Sequence, residues 1–105
     1  MSTVIEKTAL DEWLDEHTDW ALDEKPDAQR IKGMFKFSSF KQAIGFVIAM
    51  AGEMEDMNHH AEIYNIYNRV ELTLTTHDAG NKVTEKDLNL AGKASAIMKG
   101  VKGEV

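Results

Sequence analysis

The chain has no cysteine, which excludes a disulfide frame, a thiolate nucleophile and a cysteine-based zinc site. That absence fits a reducing compartment. Proline occurs once, at Pro26, and no stretch rich in proline, glycine or serine marks a linker. Positive charge is short as well: 12 Lys and Arg against 18 Asp and Glu give a net charge of −6. Direct binding of nucleic acid is therefore disfavoured, because phosphate contacts need clustered Lys and Arg. The longest mostly apolar stretch, Ala43 to Met54, is too short to cross a bilayer. The start, Met-Ser-Thr-Val-Ile-Glu-Lys, lacks the basic and apolar regions of a signal peptide. A glycine-rich phosphate loop, a Gly-x-Ser-x-Gly elbow and internal repeats are all missing. These absences predict a soluble, cytoplasmic protein, with a nuclear location also open, and no membrane partner.

What is present fits one domain over residues 1–105, long enough to bury roughly two-thirds of its unfolded surface. Thr8 is a candidate cap for a first helix, with Asp11 at its third position and Leu10, Trp13 and Leu14 as an apolar stripe. Trp20-Ala-Leu, a turn through Glu24-Lys-Pro-Asp-Ala28, and Gln29 to Phe37 predict an antiparallel hairpin, with Gly33 marking a bulge. Ser38 or Ser39 can cap a long helix reaching about Met57. Its expected core stripe is Phe40, Ala43, Ile44, Val47, Ala51 and Met54; Phe46, Ile48, Met50 and Met57 lie outside it and predict packing on another subunit. From Ile66, alternating apolar and polar residues predict a long strand to Thr75, ending in a turn at Ala79-Gly80-Asn81. Thr84-Glu-Lys-Asp87 reads as a capping box for a last helix through about Met98. The fold class that follows is α+β: a single layer of antiparallel sheet with helices on one face, three helices and about four strands.

Three of the four histidines, the doublet His59-His60 and the single His77, flank the strongly alternating strand. Histidine gives or takes a proton near neutral pH, so chemistry is expected in this stretch. Adjacent residues cannot both enter one pocket from a regular helix or strand; a helix-to-strand junction would allow it. Plainer roles compete. A doublet at a helix end suits the helix dipole, His77 fits the wet side of a strand, and Asp87 fits a capping box for structural reasons alone. Asn58 and Glu55 can orient an imidazole or cap the helix end. A metal site from His59, His60 and His77 has no recognised ligand motif behind it, so none is expected.

His59-His60-x-Glu62, Tyr64-Asn65-x-Tyr67-Asn68-x-Val70, Leu72-Thr-Leu-Thr-Thr-His77 and Asp87-Leu-x-Leu-Ala91 together closely resemble the pterin-4a-carbinolamine dehydratases. Upstream, the resemblance extends through Trp20, Ile31, Phe35, Phe37, Phe40, Ala43 and Phe46. It implies an enzyme that dehydrates 4a-hydroxytetrahydropterin, made by aromatic amino acid hydroxylases, to quinonoid dihydropterin, without metal or cofactor. It implies substrate contacts at Asn58, His59, His60, Thr75, Thr76, His77 and Asp78, with His59, His60 and His77 as the acid–base set. His60 and His77 are favoured nearest the reacting centre, with Glu55 and Asp87 as candidate orienting groups; acid and base are not assigned. Homo-dimers or tetramers follow from the same resemblance. So does an alternative, a non-catalytic interaction module serving as a transcription-factor dimerisation cofactor or assembly factor, whose protein partner the sequence does not identify. Asn58 stands where the family usually has Asp, and Ala61 and Ile63 where it has Pro and Trp, which alters a pocket wall. The turn between His77 and Asp87 is one residue longer than in the animal enzymes, and Lys86 stands where those carry Arg.

Overall fold

Trp20–Lys25 (β1) and Ala28–Lys36 (β2) form an antiparallel hairpin in the computed structural model, which describes residues 3–103. Residues 1, 2, 104 and 105, included in the single-domain expectation, lie outside the described residues. Lys25 pairs with Ala28, so the turn is only Pro26-Asp27, tighter than expected; Pro26 supplies the fixed φ that a short turn needs. Gly33 is not a bulge. It pairs with Trp20 on one side and Leu72 on the other without an extra residue. Its role is spatial, since a Cβ there would sit 3.0 Å from three atoms of the Trp20 indole. Gly33→Val should therefore overpack this contact and destabilise the protein by about 1–3 kcal/mol, measured as a lowered urea midpoint. Unchanged stability would mean that the indole moves freely.

The long strand expected from Ile66 to Thr75 is instead two strands. Glu62–Ile66 (β3) and Arg69–Leu74 (β4) pair antiparallel, with Ile66 opposite Arg69 and a two-residue turn at Tyr67-Asn68. The turn lacks the usual Asn-Gly signal, and the side-chain alternation runs through it unbroken. Tyr67 takes the left-handed φ of 49°, while Asn65 Nδ2 donates to Tyr67 O and Arg69 O, and Asn68 Nδ2 donates to Phe37 O. Side-chain amides thus supply what a glycine would have eased. The sheet order is β1-β2-β4-β3.

Three helices cover one face. Lys7–Glu16 (α1) begins before Thr8, with Glu6 as its cap residue and no side-chain cap bond. Its entry is set instead by Val4 and Ile5, which bridge to Thr84 and Val83. Phe40–Met57 (α2) is capped by Ser39, whose side chain accepts from Gln42 N. Glu85–Lys102 (α3) runs one turn past Met98 and ends at Gly103, in left-handed conformation. The buried stripe of α2 is Ala43, Phe46, Met50 and Met54, whereas Phe40 and Ala51 are exposed. Phe46 and Met50, expected outside the core, are fully buried because α2 packs on both α3 and the sheet. The Phe46 ring lies 5.2 Å from Phe35 and 5.1 Å from Phe37. The breadth of this apolar helix is thus largely used by its own fold. Only Ile48, of the residues expected at a subunit interface, is strongly exposed.

Candidate functional site

α2 ends at Asn58, which adopts the left-handed region at φ 50° and ψ 44°. Its N–H donates to Glu55 O, and His59 N–H reaches back to Met54 O at 3.1 Å. This left-handed step breaks the helical progression and lets the two adjacent imidazoles reach one cavity at different depths: His59 is buried and His60 is exposed. β3 begins two residues after the doublet, at Glu62.

His59 Nε2 lies 2.6 Å from Oδ1 of Asp87, which has no solvent exposure. The other carboxylate oxygen, Oδ2, accepts from Thr84 N–H at 2.9 Å and from Thr76 Oγ1 at 2.8 Å. Each hydroxyl has a single hydrogen. Thr76 gives its own to Asp87, so the 2.7 Å contact between the two threonine hydroxyls is Thr84 donating to Thr76. Asp87 therefore receives hydrogens on both oxygens, and Nε2 of His59 carries the one between them. The capping box is real, and it serves two ends: Oδ2 caps α3 while Oδ1 holds an imidazole. Buried polar groups satisfied in this way fix one geometry, because any alternative strands a donor without water.

β4 ends at Leu74, after which Thr75 and Thr76 are buried and His77–Ala79 form a single 3-10 turn. His77 is exposed, with Nδ1 2.8 Å from Asn81 Oδ1. The end of α2, the end of β4 and the first turn of α3 line an open cavity of about 400 Å³. Asn58, His59, His60, Thr75, Thr76, His77 and Asp78 all line it, together with Ala61, Glu62 and Lys86. Glu55 does not line it, and among the described residues its carboxylate bonds to no histidine. Nor do any three His, Asp or Glu side chains among the described residues cluster as metal ligands. Lys86 and Glu62 were not expected at the site. Lys86 follows from lying one residue before Asp87 on the capped turn, and Glu62 stands in the His59-His60-x-Glu62 motif, where it carried no site role. Thr84 caps α3, and its hydroxyl also braces Thr76. No helix among the described residues is long and apolar enough to cross a membrane.

The arrangement holds one buried imidazole by a carboxylate and two exposed imidazoles on the same cavity, a set able to donate and accept protons across a small polar ligand. The sequence profile of the family described as pterin 4 alpha carbinolamine dehydratase matches residues 3–97. A provisionally named pterin-4-alpha-carbinolamine dehydratase of Opitutus terrae is 39% identical over 97 residues, 92% of this chain and 96% of its own. The crystal structure of a transcriptional coactivator/pterin dehydratase from Brucella melitensis matches with TM-score 0.81 and 35% identity, over 91% of this chain and 99% of that one. A pterin dehydratase-like protein identified as a RuBisCO assembly factor in the alpha-carboxysome matches with TM-score 0.65 and 25% identity, over 78% and 92%.

Proposed function

Because the chain belongs to the pterin 4 alpha carbinolamine dehydratase family, we propose that it dehydrates 4a-hydroxytetrahydropterin to quinonoid dihydropterin in tetrahydropterin recycling. The observation that carries this reading is the meeting of His59, His60 and His77 on one cavity, with buried Asp87 behind His59. In the reaction the C4a–O bond breaks and its electron pair leaves with oxygen, which takes a proton and departs as water. N5 gives up its proton, and the freed pair forms the C4a=N5 double bond. One group must donate and another accept. Imidazoles suit both roles, and each transfer is typically worth about 10²–10⁴-fold. The substrate decomposes readily by itself, so positioning in the cavity adds to proton transfer. Asn58, Thr75, Thr76 and Asp78 complete the substrate contacts in this reading, and no metal or cofactor takes part.

Stopped-flow decay of 4a-hydroxytetrahydropterin tests it. The wild-type protein should accelerate decay over buffer, with a bell-shaped catalysed rate across roughly pH 5–9. No acceleration would sink the assignment, and a flat catalysed profile would reduce the histidines to positioning groups.

A second reading is a non-catalytic interaction module, in line with the coactivator and assembly-factor names of the two structural relatives. Exposed apolar side chains support contact with other chains. Tyr64, Ile66 and Tyr67 gather on the outer side of β3 and its turn, with Ile63 on the strand's other face, and Phe40 and Ile48 are exposed on α2. Single-chain folds seldom leave such groups in clusters. Two separate patches suit a homo-tetramer built from dimers, with closed two-fold symmetry at each contact. Ile48→Glu is expected to lower the oligomer order and leave the fold intact, read by light scattering; a monomeric wild-type protein at micromolar concentration would rule out self-association.

A further inference from the structure

We propose that Asn81 is a positioning residue for His77, holding its imidazole in the Nδ1–H form so that Nε2 is the acceptor offered to substrate. The role rests on the dehydratase reading; the geometry behind it does not. A carboxamide oxygen only accepts hydrogen bonds. The 2.8 Å contact between His77 Nδ1 and Asn81 Oδ1 therefore puts the ring hydrogen on Nδ1. A neutral imidazole has one such hydrogen, and Nε2 is left with a lone pair. Free histidine in water favours the opposite, Nε2–H form, so this tautomer needs a partner to hold it.

Asn81 is built to be that partner. It sits at φ 59°, directly after Gly80 at φ 74°, and asparagine is among the few side-chain-bearing residues at ease there. Both of its backbone polar groups are tied to the scaffold. Asn81 N–H donates to Thr76 O at 3.1 Å, and Asn81 O accepts from Gln29 N–H at 2.8 Å. The neighbouring Lys82 bridges to Thr76, and Val83 N–H donates to the Gln29 side chain at 2.9 Å. An exposed side-chain contact is thus carried on backbone laced to β2 and to the end of β4.

The consequence is an asymmetry between the held imidazoles. His59 is gripped at Nε2 by Asp87, and His77 at Nδ1 by Asn81. The two rings therefore offer opposite nitrogens to the cavity. Among the described residues no side chain holds the ring of His60, which leaves it free to turn.

Asn81→Gly removes the carboxamide while easing the left-handed backbone, and Asn81→Asp keeps the acceptor. Long-range proton–nitrogen correlation of the ¹⁵N-labelled imidazoles, at about pH 8, reads the tautomer directly. Wild-type His77 should be protonated at Nδ1. In Asn81→Gly it should move toward Nε2–H, with kcat lowered about five-fold, the worth of one hydrogen bond, and KM little changed. Asn81→Asp should keep Nδ1–H and move the acidic limb of the pH profile upward, since a neighbouring carboxylate favours the charged imidazole. An active wild-type protein with His77 protonated at Nε2 overturns the inference alone, as does an Asn81→Gly protein unchanged in tautomer and kcat. A wild-type protein without dehydratase activity overturns the reaction, and the role of Asn81 in it, whatever the tautomer.

Discussion

Asp87→Asn should lower the catalysed dehydration rate by about 10³-fold while the protein stays folded, by the same logic as a triad aspartate changed to asparagine. The amide matches the carboxylate in size. Its oxygen can take over from Oδ2 and accept from Thr84 N–H and Thr76 O–H. The amide nitrogen then faces His59 Nε2, at the position where Asp87 Oδ1 stands 2.6 Å away. Two donors cannot share a hydrogen bond, so His59 must shift its hydrogen to Nδ1 and reverse the nitrogen it offers to the cavity. Asp87→Ala should behave differently. It removes the cap and leaves three donors without a partner in a fully buried position. A cost of about 3–5 kcal/mol is expected for that loss, a large part of the stability of any small domain. Stopped-flow rates and urea unfolding separate the two variants. An asparagine variant keeping half of the wild-type rate would show that the tautomer of His59 does not matter.

Removing His60 and His77 together is the second large effect. Each alanine substitution should cost about 10²–10⁴-fold in catalysed rate, the usual worth of a positioned acid or base. Both side chains are exposed, so stability should change by less than about 0.5 kcal/mol. If the two serve the same step, the double variant will be little worse than the poorer single one. This experiment also divides the enzyme from the interaction module. A protein-binding role built on the β3 and α2 patches would survive the double substitution, because neither histidine belongs to them. A double variant that still accelerates dehydration would move the chemistry to His59 alone.

The element types were legible because their signals are local. The Ser39 cap, the Thr84–Asp87 box and the alternation of Val70, Leu72 and Leu74 each act within a few residues. What failed depended on partners distant in sequence. Gly33 has the local pattern of a bulge, but its role is set by Trp20, which lies across it from the neighbouring strand. Thr8 resembled a cap, but the start of α1 is set by the bond from Ile5 to Val83. The burial of Phe46 and Met50 reflects α3 and the sheet packing on the same helix, which no periodicity within α2 reveals. The turn at Tyr67-Asn68 was hidden because side chains kept alternating through it. The doublet was expected at a helix-to-strand junction, and that is its setting. Which of the two lies deeper was not readable, because His59 is held inward by Asp87, a partner distant in sequence. Nor could the sequence rank the structural and orienting roles of Asp87, since one oxygen serves each.

That shared carboxylate ties two kinds of motion together. The first turn of a helix is where fraying ordinarily begins, and here the same opening that releases the Thr84 amide also unclasps His59. Opening of the first turn of α3 would therefore release His59 from Asp87 even with the sheet intact. Conversely, a ligand that needs His59 in place tightens the start of α3 without touching it, and slowed hydrogen exchange at Thr84 and Asp87 would report occupancy of the cavity.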